Sequence, residues 1–195
     1  MSTLAAVPIA WLVARAAGLV ALGLLTLSVW LGLGMSTRVL GPRRQKALFA
    51  WHRTLIWTGL SMIALHAIAL LFDPTIHFGL AAVLVPLAAP WHPAAVAAGV
   101  VAAWLALMLA VSFRMRKWIG QRGWRRLHYA SFVAFVLSVG HALTVGTDLH
   151  GVGGRILAAV VLGPTLWLVL LRVLAPTPAP KRRPAAALPS TPSGT

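Results

Sequence analysis

Four histidines recur at matched intervals in a chain that is otherwise strongly apolar. His52 and His66 bracket "HRTLIWTGLSMIALH", fourteen residues apart, and His128 and His141 bracket "HYASFVAFVLSVGH", thirteen apart. A histidine inside a membrane segment is expensive and marks a function or a specific partner. For any one of them, a hydrogen-bonded packing role is the competing reading, but four in register are harder to explain that way. The chain has no cysteine, which excludes disulfides, iron–sulfur clusters and zinc–thiolate sites, so a metal would have to be held through histidine.

On a helix, fourteen steps return to within about 40° of the starting direction and rise about 21 Å, so His52 and His66 share a face. Thirteen steps rise about 20 Å but leave His128 and His141 about 140° apart on an ideal helix. Either that helix is distorted, with Gly140 the candidate position, or its two histidines are approached from different directions. The segments are separated by one crossing and run parallel, which places His52 level with His128 and His66 level with His141. "HAIALLFD" and "HALTVGTD" follow the second member of each pair, so Asp73 and Asp148 each lie seven residues beyond, in the manner of a pseudo-repeat. Two imidazoles at one depth on facing helices suit a haem iron, whose axial ligands stand perpendicular to the ring. With both axial positions filled, such a haem favours electron transfer over oxygen activation. Two of them stacked across a hydrocarbon layer of about 30 Å would form a wire. No CxxCH is present, so the haems would be non-covalent and b-type.

The elements that must position these residues are membrane helices. The chain has 195 residues, is 59% hydrophobic with only two acidic residues, and has a mean hydropathy of +0.86. This predicts an all-α integral membrane bundle of about five transmembrane helices: Pro8 to Gly34, Leu48 to Phe72, Pro93 to Phe113, Leu127 to Gly146 and Gly153 to Leu174. The first lacks the basic start and short apolar core of a secretory signal and is expected to stay in the membrane. The piece between Pro74 and Pro93 is too short between its prolines to cross and is expected at the interface, outside, with a sixth span as the alternative that the charge distribution opposes.

All but Arg15 and Arg155 of the 17 lysines and arginines flank the first connection, the third connection or the C-terminal end. The positive-inside rule therefore predicts an outer N-terminus and a cytoplasmic C-terminus. The net charge of +15 is thus a topology signal, and nucleic acid is not an expected partner. Residues 1–175 are expected to form one haem-binding transmembrane domain, and 176–195, rich in Pro and basic residues, a disordered cytoplasmic tail.

With its two histidine pairs on alternate spans, spaced fourteen and thirteen, residues 8 to 174 resemble the ferric reductase-like transmembrane domain. That domain is shared by ferric reductases, NADPH oxidases and the haem-bearing membrane subunit of the bacterial methionine-sulfoxide reductase system. The resemblance implies two b haems, one on His52 with His128 and one on His66 with His141. It implies a diheme electron-transfer component of a multi-pass cell-membrane protein, of bacterial inner-membrane type. The chain departs from that pattern in having five spans rather than six. It also shows no GxGxxG and only about twenty residues after Leu174, too few for the βα unit of a nicotinamide site, so a separate donor is expected. That donor would be a cytoplasmic flavoprotein reductase or a membrane quinol, and the acceptor extracytoplasmic.

Arg53 beside His52, and Arg125 and Arg126 before His128, are candidates for the inner propionates or are plain topology charges. Arg15 and Arg155 are candidates for the outer propionates, with snorkelling to the interface as the alternative for Arg15. Trp51, Trp91, Trp118 and Trp124 read as an interfacial belt. Trp57 and Phe135 fall between the two levels and read as packing residues, with a role in the electron path as the alternative. His77, His92 and His150 read as solvated interfacial loop residues, with metal or partner contact as the alternative. A reading from a different class is a non-redox transporter or channel using His66, His141 and Arg15 as a proton or ion relay. Against it stand the absence of an intramembrane acid and of Gly/Pro-broken span pairs.

Overall fold

A computed structural model describes residues 9–37, 42–74, 76–146 and 151–174. Arg38, Asp148, His150, Lys181, Arg182, Arg183 and the expected tail 176–195 lie outside the described residues. Every regular element described is helical: α1 (Ile9–Thr37), α2 (Gln45–Leu71), α3 (Leu80–Leu84), α4 (Pro93–His128), α5 (Ala130–Val145) and α6 (Val152–Leu174), with a short 3₁₀ turn at Pro42–Arg44 before α2.

The punctuation follows from residue chemistry. Asp73 precedes Pro74, a position from which the helical conformation is disfavoured. There α2 ends in tightened closures, Phe72 N–H to Ala69 O at 3.1 Å and Asp73 N–H to Leu70 O at 3.2 Å. α4 opens on Pro93, whose fixed φ and missing N–H suit a first turn. Between them, the expected interfacial segment holds only α3, five residues long and too short to cross a bilayer.

α4 is two arms. Gly120 sits at φ 73°, ψ 160°, in the left-handed half of backbone space that glycine enters without a side-chain clash. The chain folds back there: the rings of Phe113 and Trp124 stand 5.6 Å apart, whereas eleven residues of straight helix would separate them by about 16 Å. The run Pro93–Val145, 53 residues long, is therefore a hairpin of two crossings. With Ile9–Ser36, Gln45–Leu71 and Val152–Leu174 it makes five. Residues 114–126, expected as a connecting loop because of their charge, are helical on either side of Gly120. The long aliphatic stems of arginine and lysine let a helix carry them at a membrane boundary while their heads reach water.

The packing is arranged around α1. Ala14, Ala17 and Ala21 are nearly fully buried along one stripe, and small residues of this kind let helices approach closely in a membrane. α1 packs along α2, touches α5 and α6, and leaves α4 and α5 packed on each other. Leu22 of α1, Phe135 and Val139 of α5 and Val161 of α6 form a shared core. The Trp30 indole N–H donates to Thr165 Oγ1 at 2.8 Å, and that hydroxyl donates to Val161 O at 2.6 Å, tying α1 to α6. Many large apolar side chains outside this core, such as Leu166 and Val136, are exposed, as a lipid-facing surface requires. α2 and α5 hardly pack on each other. They are held apart across a gap, and the histidines line that gap.

Candidate functional site

Across the gap the four histidines meet in two pairs. The rings of His52 and His128 have centres 6.3 Å apart and planes inclined at 72°, and those of His66 and His141 are also 6.3 Å apart, at 82°. Both pairings are those expected from depth on parallel helices. An imidazole nitrogen binds a metal at about 2.0–2.1 Å and its ring centre lies about 1.1 Å further back, so two imidazoles trans on one ion stand about 6.3 Å apart. Among the described residues no cluster of three or more His, Asp or Glu is placed to hold an ion by itself. Each pair thus suits a metal whose remaining positions come from a ligand of its own.

Three of the rings are aimed by backbone. His66 Nδ1 lies 2.7 Å from Ala14 O, His141 Nδ1 lies 2.9 Å from Ala95 O, and His52 Nδ1 lies 2.9 Å from both Ser28 O and Ser28 Oγ. A carbonyl oxygen only accepts, so each Nδ1 carries the proton and each Nε2 keeps its lone pair. A second bond of this kind fixes the tautomer and orientation of a metal-binding histidine and raises its basicity.

Glycine makes the room. Four residues after each of these carbonyls comes Gly18, Gly32 or Gly99. A Cβ on Gly99 would fall 2.7 Å from His141 Nδ1, one on Gly18 3.0 Å from His66 Nδ1, and one on Gly32 3.6 Å from His52 Cε1. On α1 the two cradles, Ala14 with Gly18 and Ser28 with Gly32, are fourteen residues apart. That is the step separating His66 and His52 on the antiparallel α2.

His128 is the exception. Were the Ala95–Gly99 cradle repeated fourteen residues along α4, it would fall at Leu109 and Phe113, and Phe113 leaves no recess. Instead Trp124 stacks on the His128 ring at 4.9 Å and 22°, and Phe113 packs edge-on against Trp124. His128 Nδ1 and Trp124 Nε1 are both buried without a hydrogen-bond partner among the described residues, a condition that costs about 1–3 kcal/mol for each group. Trp124 was expected in the interfacial belt, whereas Trp51 and Trp118 are exposed as such residues should be. Its place four residues before His128, one helical turn, was the available signal.

The angular mismatch of the thirteen-residue spacing is resolved at Tyr129, with Gly140 inside regular helix. Tyr129 N–H reaches Arg126 O at 3.2 Å and Phe132 N–H reaches Tyr129 O at 3.1 Å. Such i→i+3 closures turn about 120° per residue instead of about 100°, which removes part of the mismatch. The remainder is met by geometry: His141 is held from α4, and His128 by the stack beneath it.

The pair His52–His128 opens into a cavity of about 1720 Å³. Arg53 and Arg125, candidates for the inner propionates, line it together with Arg114 and Arg172, which the charge pattern marks only as topology charges. Arg114 lies over the Trp57 ring at 5.7 Å. Arg126 is exposed and does not line the cavity. Toward the outer pair, Arg15 follows Ala14 in sequence and lies over the Trp11 ring at 3.9 Å, while Arg155 is exposed on α6. Phe135 is part of the shared core and also lines the cavity of the His52–His128 pair. His77 and His92 are exposed and remain apart from both pairs. Comparison of the chain with models of known families, with curated proteins and with solved structures gives no match.

Proposed function

We propose that the chain is a diheme b-type membrane electron carrier of the ferric reductase-like kind, with His52 and His128 holding one haem and His66 and His141 the other. The observation that carries this reading is the pair of imidazole couples, each 6.3 Å between ring centres at two depths of one gap. Iron in a porphyrin has four nitrogens already and asks the protein for two, so a two-histidine set is a complete demand. Bound haem would supply a one-electron ferric/ferrous couple at each level. The protein's part is to aim the rings through Ala14, Ser28 and Ala95, to keep the surroundings apolar through residues such as Leu25, Val29 and Ile56, and to meet propionates with arginines. Arg53, Arg114, Arg125 and Arg172 around the inner cavity are suited to that last task.

In this reading the charge distribution sets the orientation, with the His52–His128 level toward the cytoplasm. Electrons pass between a cytoplasmic flavoprotein or membrane quinol and an extracytoplasmic acceptor. The relay alternative receives no support from the site. Three of the four imidazoles commit one nitrogen to a backbone carbonyl, and largely apolar side chains lie between the levels. The test is purification of the full chain followed by absorbance spectroscopy and haem extraction. The proposal expects two non-covalent haems per chain with low-spin spectra. A protein that stays colourless when produced with ample haem would overturn it.

A further inference from the structure

We propose that His128 is the displaceable ligand of the four, so that the His52–His128 site of the haem-loaded protein accepts a small exogenous ligand in its place while the His66–His141 site stays closed. This inference rests on the two-haem reading. Its first ground is the hydrogen bonding. His52, His66 and His141 would each give up an Nδ1–H bond to a backbone carbonyl on leaving their position, whereas His128 has none to lose. Its buried Nδ1 gains a partner as soon as the ring swings toward water.

The second ground is mechanical. His128 is the last residue of α4 and adjoins the turn at Tyr129, where the helical ladder is replaced by i→i+3 closures. His66 and His141 lie within regular helix, about one turn before the ends of α2 and α5, and are pressed into the recesses of Gly18 and Gly99. What holds His128 is the Trp124 face, and a stack fixes the plane of a ring without fixing its rotation within that plane.

The third ground is space. The cavity of about 1720 Å³ reaches His128, Trp124 and Tyr129 and excludes His66 and His141. Pockets for a single small ligand are typically about 300–1,000 Å³, so the inner cavity is large enough to take a displaced imidazole and an incoming diatomic besides a bound cofactor. His52 lines the same cavity, but its two contacts to Ser28 hold it. The exchange at His128 is a simple substitution. An iron–nitrogen bond breaks, an iron–carbon bond to carbon monoxide forms, and no electron changes hands.

The experiment uses the full haem-loaded chain, reduced with dithionite and exposed to carbon monoxide, read by absorbance. The expected result is conversion of about half the haem, one site of two. The Trp124→Leu variant should bind carbon monoxide about two- to tenfold faster, the range that loss of one aromatic stack corresponds to. A protein shown to hold two low-spin haems, but binding carbon monoxide at neither or at both, would overturn the inference and leave the two-haem reading standing. An unchanged rate in Trp124→Leu with half the haem converted would assign the reactive site elsewhere and also overturn it. A protein without haem would instead overturn the reading on which the inference rests.

Discussion

The imidazole of His141 occupies the space that a side chain on Gly99 would need, since a Cβ built there falls 2.7 Å from Nδ1. Gly99→Ala should therefore push His141 off its aim and weaken the outer haem site, with an overpacking cost of about 1–3 kcal/mol. The three glycines form a graded series, because the corresponding approaches are 3.0 Å at Gly18 and 3.6 Å at Gly32, the last an ordinary contact. Haem content and spectra of the three alanine variants should fall in the order Gly32, Gly18, Gly99, with Gly32→Ala close to wild type. Equal effects at all three positions would show that the cradles do not hold the rings.

The pairing by depth makes a separate demand. Substituting His66 or His141 by alanine should abolish the same haem, and substituting His52 or His128 the other. Redox titration of each variant would count the remaining centre. Loss of one common haem from His52→Ala and His141→Ala would contradict the parallel arrangement.

Thr165 accepts the Trp30 indole N–H at 2.8 Å, and neither residue lines the inner cavity. Thr165→Val leaves that donor unpaired, which should destabilise the protein by about 1–3 kcal/mol without changing the haem spectrum. Thermal unfolding monitored by circular dichroism, together with absorbance, separates these effects. A spectral change would mean that the α1–α6 contact reaches the site.

Orientation is tested with reporters. A fusion after Arg183 should read cytoplasmic, and one in the segment between Pro74 and Pro93 should read outside, as the distribution of basic residues requires. A cytoplasmic signal from the second would invalidate the five-crossing topology.

Much of this was legible in the sequence because its cause is local. Windows of about 20 apolar residues announce spans, and a fourteen-residue step on a 3.6-residue period brings His52 and His66 to one face. Tyr129 was not legible as the point of adjustment, since tyrosine carries none of the chain-breaking chemistry that had drawn attention to Gly140. Gly120 was hidden for a related reason: the charges around it read as a loop, although the helices run on to either side of it. The cradles at Gly18, Gly32 and Gly99 follow a spacing rule that acquires meaning only once helix partners are known. Trp124 has two sound readings, belt residue and stacking partner, and only the fold selects between them.

The angle between paired rings offers the most direct test of the central claim, that each histidine pair clamps one iron. Where two axial imidazoles lie in parallel planes, their π-donation lifts the degeneracy of the iron d orbitals and gives a rhombic low-spin signal. Near-perpendicular planes, here 72° and 82°, donate almost equally into both orbitals and leave a strongly anisotropic signal with one dominant low-field feature. Low-temperature electron paramagnetic resonance of the oxidised, haem-loaded chain should show two such low-spin species in equal amounts. A high-spin ferric signal, or a single low-spin species accounting for all the haem at one per chain, would contradict the account.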